Sequence, residues 1–271
     1  MNDVAKAIAG SVSAIIPDRF RDKVAIVTGG ASGMGRAQAV RLAAEGASVA
    51  ILDINDEGGR RTVDDINAAG GKAAYERTDV TSADQIEAGL AHVRERYGPA
   101  NLLFNNAGTL VVSGYTDTTE EEFDRVMDTN VRSTFMVTKR VIPQLIEQSG
   151  GSIVIMSSVS AVRGFPLEAI YGVSKAAVQA LMMNIAVEYR EQGIRCNAVC
   201  PAFVNTPHGM REIDAFKALG IDWSDDDIRA AQLRICEPED VSNVALFLAS
   251  DDAGSLNGVA INVDNGWMAK A

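Results

Sequence analysis

The chain predicts an α/β protein: a doubly wound parallel sheet with helices on both faces. Three observations carry this expectation. From Lys23 onward, short apolar runs alternate with helical patterns in a βαβαβ rhythm. The runs are apolar throughout rather than alternating, as strands buried on both faces require. A glycine-rich turn, "TGGASGMG", joins the first run to the first helix. No internal repeat, low-complexity tract or linker breaks the rhythm, so residues 23–271 read as one domain.

The elements follow in order. "KVAIVT" is a strand, and "MGRAQAVRLAAEG" a helix closed by Gly46. "ASVAILD" is the second strand, "DEGGRRTVDDINAAGG" a polar-faced helix, and "KAAYERTD" the third strand. Ser82 and Gln85 suggest a capping box before "IEAGLAHVRERYG". "NLLFNNAG" is the fourth strand, running into a loop. Thr119 and Glu122 give a second capping signal, opening one long helix to about Gln148. "GSIVIMSS" is the fifth strand, then a helix carries Tyr171 to about Tyr189, and "IRCNAVCP" is the sixth strand. Residues 202–236 are less regular. Pro238 suits the first turn of "PEDVSNVALFLAS", and "GVAINVDNG" supplies the last strand.

Composition narrows the function. The 271 residues are 47% hydrophobic, enough for a sizeable core. Net charge is −11, from 36 acidic and 25 basic residues, which disfavours nucleic acid or an anionic membrane as the main partner. Cys196, Cys200 and Cys236 follow no framework spacing, so a reducing, cytoplasmic setting is expected. Cys196 and Cys200 read as small core residues, and no metal set is completed. "AIAGSVSAII", Ala7 to Ile16, is the most suspicious apolar stretch, too short to span a bilayer and without a basic leader. Residues 1–22 read as an amphipathic extension, ended as a helix by Pro17, that packs on its own domain or on a sister subunit.

In the glycine turn, Gly29, Gly33 and Gly35 are spaced G-x-x-x-G-x-G. Glycines there let the backbone approach a ligand, and the helix N-terminus offers bare N–H groups to a pyrophosphate. The spacing is neither G-x-G-x-x-G nor a Walker A loop, and the competing reading is a tight turn without a ligand. Asp53 ends the second strand, where a carboxylate can accept from both hydroxyls of an adenosine ribose and repel a 2′-phosphate. Ser32 is not basic and no Arg or Lys follows Asp53 at once, so NAD is favoured over NADP. The alternative is an Asp that caps the next helix. Asp79 could meet the adenine or simply end its strand.

"TGGASGMG", "NNAG" at Asn105–Gly108, Asn130 in "TNVRS", Ser158 in "IMSSVS" and "YGVSK" stand in the order and spacing of a known family. From about Lys23 to Gly266 the chain resembles the short-chain dehydrogenases/reductases. The resemblance implies a Rossmann-like fold with a seven-stranded sheet, a nicotinamide cofactor and commonly a homotetramer. It assigns catalytic roles to Asn130, Ser158, Tyr171 and Lys175. Tyr171 would be the general acid/base. Lys175, one turn along, would lower the phenol's pKa, with help from an oxidised nicotinamide, and hold the nicotinamide ribose. Ser158 would hydrogen-bond the reacting oxygen, with Ser157 the competitor, and Asn130 would support a relay water touching Lys175.

The resemblance also implies cofactor contacts at Gly29, Ser32, Gly33, Met34 and Gly35, and at Val80, Asn106, Ala107 and Gly108. Tyr171, Lys175, Pro201, Val204 and Thr206 complete them. Pro201-Ala202 stands where the family has Pro-Gly, and "DNG" where it has "DGG". The substrate is expected against residues 109–115, 159–168 and a lid at about 203–235. Ser158, Phe165, Tyr171 and Phe203 would contact it, and Val159, Met210 and Phe216 offer further apolar surface. His208 and Arg211 read as solvent-exposed. "WSDDDI" reads as a helix capped by Ser224. The expected reaction is hydride transfer between NAD(H) and a hydrophobic or cyclic secondary alcohol or its ketone. The competing readings are the same chemistry with NADP(H), and a non-catalytic dinucleotide sensor or scaffold.

Overall fold

The computed structural model describes residues 15–270, so most of the N-terminal extension lies outside the described residues. Seven parallel strands form one sheet in the order β3-β2-β1-β4-β5-β6-β7. They are β1 (Val24–Thr28), β2 (Ser48–Asp53), β3 (Lys72–Arg77), β4 (Leu102–Asn105), β5 (Gly151–Met156), β6 (Ile194–Pro201) and β7 (Ala260–Val263). Each lies within its predicted run. Alternate residues of a strand point to opposite faces. In β1, Ala25 and Val27 enter one core and Val24 and Ile26 the other. A helix layer on each face therefore demands an unbroken apolar run.

The first core holds α1 (Gly33–Ala44), α2 (Asp56–Ala68) and, from the C-terminal end, Pro238–Ala249. The second holds α3 (Ala83–Tyr97), the helix Ser133–Glu147 and the helix Ala169–Glu188. Phe20 is buried in the first core, and Arg19 and Arg41 both pair with the buried Glu45 carboxylate at 2.5 and 2.7 Å. The described part of the extension thus packs on its own domain.

Three local expectations change. Ser82 caps α3 through the Gln85 N–H, but the Gln85 side chain accepts from Asp79 N instead of returning to the cap. The box is half formed because the strand-end loop claims the glutamine. The long helix opens with a complete Thr119–Glu122 box but is not uniform: α4 (Glu120–Met127) passes through a π turn, Asp128–Arg132, into α5 (Ser133–Glu147). Ser133 and Thr134 hydroxyls donate to the carbonyls of Thr129 and Asn130, filling acceptors that the wider turn disturbs. Residues 202–236 contain two helices, α7 (Pro207–Ala218) and α8 (Asp225–Gln232), separated in sequence from α5 by α6 (Ala169–Glu188). Thr206 and Ser224 cap them, Pro207 sits in the first turn, and Ser224 forms a box with Asp227. Pro238–Ala249 is α9.

By length and composition, α6 is, among the described residues, a helix long and apolar enough to cross a bilayer, an apolar stretch other than the expected Ala7–Ile16. It lies against β5 and β6, with Val178, Met182 and Ala186 in the second core.

Candidate active site

The glycine turn shows why these residues stand there. Gly29 and Gly33 adopt left-handed backbone, at φ 67° and 53°. A Cβ on Gly35 would lie 2.2 Å from the Gly29 carbonyl oxygen, an overlap of backbone with side chain that no rotamer relieves. Ser32 is the N-cap of α1, yet its hydroxyl makes no capping bond, so the first turn's N–H groups keep no side-chain partner. Thr28 Oγ1, which no sequence motif singles out, accepts from Asn106 N and Ala107 N at 3.1 and 3.2 Å. That contact fixes the β4 loop beside the turn, at the switch point between β1 and β4.

Asp53 is bound on both oxygens: Ala31 N donates at 3.0 Å and Asn55 N at 2.9 Å. The helix that follows is capped by Asn55, not Asp53. Asp79 Oδ1 accepts from Thr81 N and Oγ1 at 2.8 and 2.7 Å, so it shapes the end of its own strand segment.

Every residue expected to touch the coenzyme lines one cavity of about 1310 Å³ at the carboxyl ends of the strands. Ser158, Phe165, Tyr171 and Phe203 line it too. Asn130 stands behind the wall, buried in the π turn. Its Oδ1 accepts from Thr109 N at 2.7 Å, and its Nδ2 donates to Thr109 O and Ser174 Oγ, both at 2.9 Å. Lys175 Nζ donates to Met156 O at 2.9 Å and lies 5.6 Å from the centre of the Tyr171 ring. Ser157 is committed elsewhere: its hydroxyl donates to Lys175 O at 3.0 Å and accepts from Gln179. That leaves Ser158 to meet the Tyr171 phenol.

The electrostatics differ from the sequence expectation. Burial, then the Glu212 and Glu168 carboxylates, push the Tyr171 phenol well above its ordinary value, and the Ser158 hydroxyl is the contact that pulls it down. The net direction is the reverse of that expected from Lys175 alone. Lys175 is itself desolvated, and burial brings it down to about 8. At neutral pH the ammonium is still mostly charged.

The substrate end also differs in part. Residues 159–168 and the lid segment line the cavity, but none of residues 109–115 does. Thr109 is held by Asn130, and Ser113 N donates to Leu167 O at 2.9 Å, so this strip buttresses the wall from behind. Val159 and Phe216 line the cavity, whereas Met210 turns outward and is 37% exposed. His208 is half-buried with its ring centre 6.2 Å from that of Tyr171; burial, then Lys175 and Arg211, lower it to about 4. Arg211 is exposed, as expected.

Phe203 stacks edge-on to Trp223 at 5.0 Å and tilts against Trp267 at 5.7 Å, and Phe165 meets Trp267 at 5.2 Å. Trp267 comes from the C-terminal segment, and nothing in its local sequence marks it as a pocket residue. Ala202 has no left-handed backbone, so replacing the usual glycine introduces no strain there, whereas Asn265 of "DNG" adopts φ 49°.

Fold and cavity together define a dinucleotide-binding oxidoreductase of Rossmann type. A family model described as Enoyl-(Acyl carrier protein) reductase matches residues 29–268. The chain is 35% identical over 268 residues to a 3beta-hydroxysteroid dehydrogenase of Mediterraneibacter gnavus, covering 93% of this chain and 97% of that one. It is 37% identical over 253 residues to the cyclopentanol dehydrogenase of a Comamonas species, covering 93% and 99%. The crystal structure of levodione reductase superposes with a TM-score of 0.89 at 33% identity, covering 93% of this chain and all (100%) of that one. The chain belongs to the short-chain dehydrogenase/reductase family. Members of that family use nicotinamide dinucleotides.

Proposed function

We propose that the protein transfers a hydride between NAD(H) and a hydrophobic or cyclic secondary alcohol and its ketone, with Tyr171 as general acid/base. The observation that carries this is the convergence of Ser158, Tyr171 and Lys175 on one cavity that also holds the glycine turn and Asp53. The unused Ser32 hydroxyl and the bare first turn of α1 fit a diphosphate. Asp53 and Asn106–Gly108 would hold the remainder of the coenzyme, and Lys175 its nicotinamide ribose. When bound, that group supplies the hydride acceptor or donor.

The chain's own residues handle the proton. Ser158 donates to the reacting oxygen and steadies its charge. Tyr171 takes the alcohol proton as the carbonyl forms, or returns it in reduction. The buried ammonium of Lys175 favours the phenolate, opposing the desolvation that raises the phenol. Asn130 supports a relay on the Lys175 side. A hydrophobic substrate is supported by the Phe165, Phe203, Trp223 and Trp267 wall, and a cyclic alcohol by the names of the steroid and cyclopentanol relatives.

NAD rather than NADP is supported by the ribose end of the cavity. Leu52, Asp53, Ile54, Asn55, Thr78 and Asp79 line it, with two carboxylates and no base among them. Arg36, just after the turn, is paired with Asp65 at 2.8 Å. With cyclopentanol and a panel of alicyclic alcohols, wild type is expected to favour NAD⁺ over NADP⁺ by about 100-fold in kcat/KM. Asp53→Ala should shrink that preference to about 10-fold or less. A wild-type preference for NADP⁺, or turnover of sugars but of no alicyclic alcohol, would overturn this assignment.

A homotetramer is proposed from the apolar side of α6, where Val173, Met183 and Val187 are 50–66% exposed on one side of the helix, with Phe135 exposed on α5. Sedimentation should give four chains per particle, and Met183→Glu with Val187→Glu should dissociate it. A monomeric wild type would refute this. The three free, buried cysteines suit a cytoplasmic setting.

A further inference from the structure

The substrate end of the cavity holds one buried acid that neither the fold nor the proposed proton transfer uses. Glu168 is the N-cap of α6, three residues before Tyr171, and is only 5% exposed. An acid at that position commonly caps its helix, yet this carboxylate makes no capping bond. It lines the cavity instead. Ser160 Oγ donates to its Oε2 at 2.8 Å. Among the described residues no cation pairs with it. A carboxylate buried this deeply requires donors, and one serine hydroxyl leaves most of its lone pairs open.

Close packing sets where this acceptor stands. Ser158 follows β5 and caps a short 3₁₀ turn, Val159–Ala161, that lies against α6. A Cβ on Gly172 would lie 2.8 Å from the Ser160 carbonyl oxygen, so turn and helix meet backbone to backbone. Ser160 N donates to Ser158 Oγ at 3.1 Å, and the two serine oxygens are 3.2 Å apart. Two short contacts therefore separate Ser158 Oγ from Glu168 Oε2, a gap of at most about 6 Å. Ser158 is the proposed partner of the reacting oxygen, so Glu168 stands about one small ring away from it.

Glu212, on α7, brings a second carboxyl to the same cavity. Burial and the neighbouring Glu168 hold it well above the usual carboxylate range, which keeps it protonated at neutral pH. Even with that proton, four carboxyl oxygens outnumber their two donors. Positive charge is already close: Lys175 and Arg211 both act on His208, which lies one turn before Glu212. A ligand ammonium would meet those two cations, whereas a neutral hydroxyl would not. Phe165, Phe203 and Trp267 supply the apolar surface for the rest of a ring. A substrate with a single hydroxyl would leave Glu168 facing hydrocarbon.

We propose that Glu168, oriented by Ser160 and joined by Glu212, accepts a hydrogen bond from a second hydroxyl on the substrate ring, so that the preferred alcohols are alicyclic diols. The proposal rests on hydride transfer at Ser158 and Tyr171. In oxidation one carbinol loses its C–H hydride to the oxidised dinucleotide and its O–H proton to Tyr171. The other hydroxyl stays intact against Glu168. The products are a hydroxyketone, reduced dinucleotide and one proton.

Steady-state kinetics with NAD⁺ test this by comparing cyclohexanol with the cyclohexanediol isomers and the matching aminocyclohexanols. The best diol should exceed cyclohexanol about 30-fold in kcat/KM, chiefly through KM. Glu168→Ala should shrink that ratio to about 3-fold or less, and Glu168→Gln, which keeps the shape without the charge, should fall between. The ratio is internal to each variant, so a general loss of activity does not move it. The wild-type comparison needs no variant and decides even where Glu168→Ala does not fold. Cyclohexanol used as well as every diol, an aminocyclohexanol preferred to the diols, or an unchanged ratio in Glu168→Ala would each overturn the second-hydroxyl site while leaving hydride transfer standing. Oxidation of none of these alcohols would instead remove the hydride-transfer reading, and this one with it.

Discussion

Tyr171→Phe is expected to lower kcat by about 10²–10⁴-fold while NADH still binds with near wild-type affinity. The phenol oxygen is the proposed site where the substrate proton rests, and phenylalanine fills the same buried volume without it. The fold should be undisturbed, because the ring's packing survives and Ser158 keeps its bonds to Ser160. Stopped-flow binding of NADH and steady-state kinetics check both halves. A dinucleotide sensor or scaffold would keep its function in this variant, so retained turnover would remove the acid/base assignment. Loss of NADH binding along with turnover would instead point to a structural role for the phenol.

The second large effect has two signs. Lys175→Met should cost at least about 100-fold in turnover yet stabilise the protein at neutral pH. The native ammonium is buried and titrates at about 8, against an ordinary 10.5. Below pH 8 both folded and unfolded chains carry the charge, and the folded chain bears the full desolvation cost of about 3 kcal/mol. Between 8 and 10.5 the unfolded chain binds more protons than the folded one, so wild-type stability rises with pH across that window. The methionine variant lacks this cost but leaves the Met156 carbonyl without its donor, a loss of about 1 kcal/mol. A net gain of about 1–2 kcal/mol is expected at pH 7, shrinking towards pH 10.5. Urea unfolding at pH 7 and pH 10 measures it. A variant less stable than wild type at pH 7 would show that the lysine's contacts outweigh its burial.

The parts of this arrangement that were legible in the sequence are those encoded within one short segment. β1 declares itself by "KVAIVT", because burial on both faces leaves no room for polar alternation. The glycine turn declares itself because Gly35 touches Gly29, six residues away. Tyr171 and Lys175 lie one helical turn apart, and Ser158 ends the adjacent strand. What stayed hidden depends on distant segments meeting. Glu168 and Glu212 are 44 positions apart and each reads alone as a surface acid; only the lid helix brings them together. Trp267 joins Phe165 and Phe203 from 102 and 64 positions away in the chain, so periodicity carries no trace of that wall. His208 reads as a solvated residue because its burial comes from its neighbours rather than its own helix. The π turn at Asn130 is likewise invisible to a 3.6-residue pattern, although an asparagine inside a helix is a residue that competes with backbone bonding.

The central claim, hydride transfer from a secondary alcohol carbon at this cavity, is tested most directly by isotope tracing. Cyclopentanol bearing deuterium on its carbinol carbon would be incubated with the protein and NAD⁺, and the reduced coenzyme analysed by mass spectrometry. The account predicts one deuterium in each NADH formed, together with a slower rate than for the unlabelled alcohol. NADH formed without deuterium would contradict it.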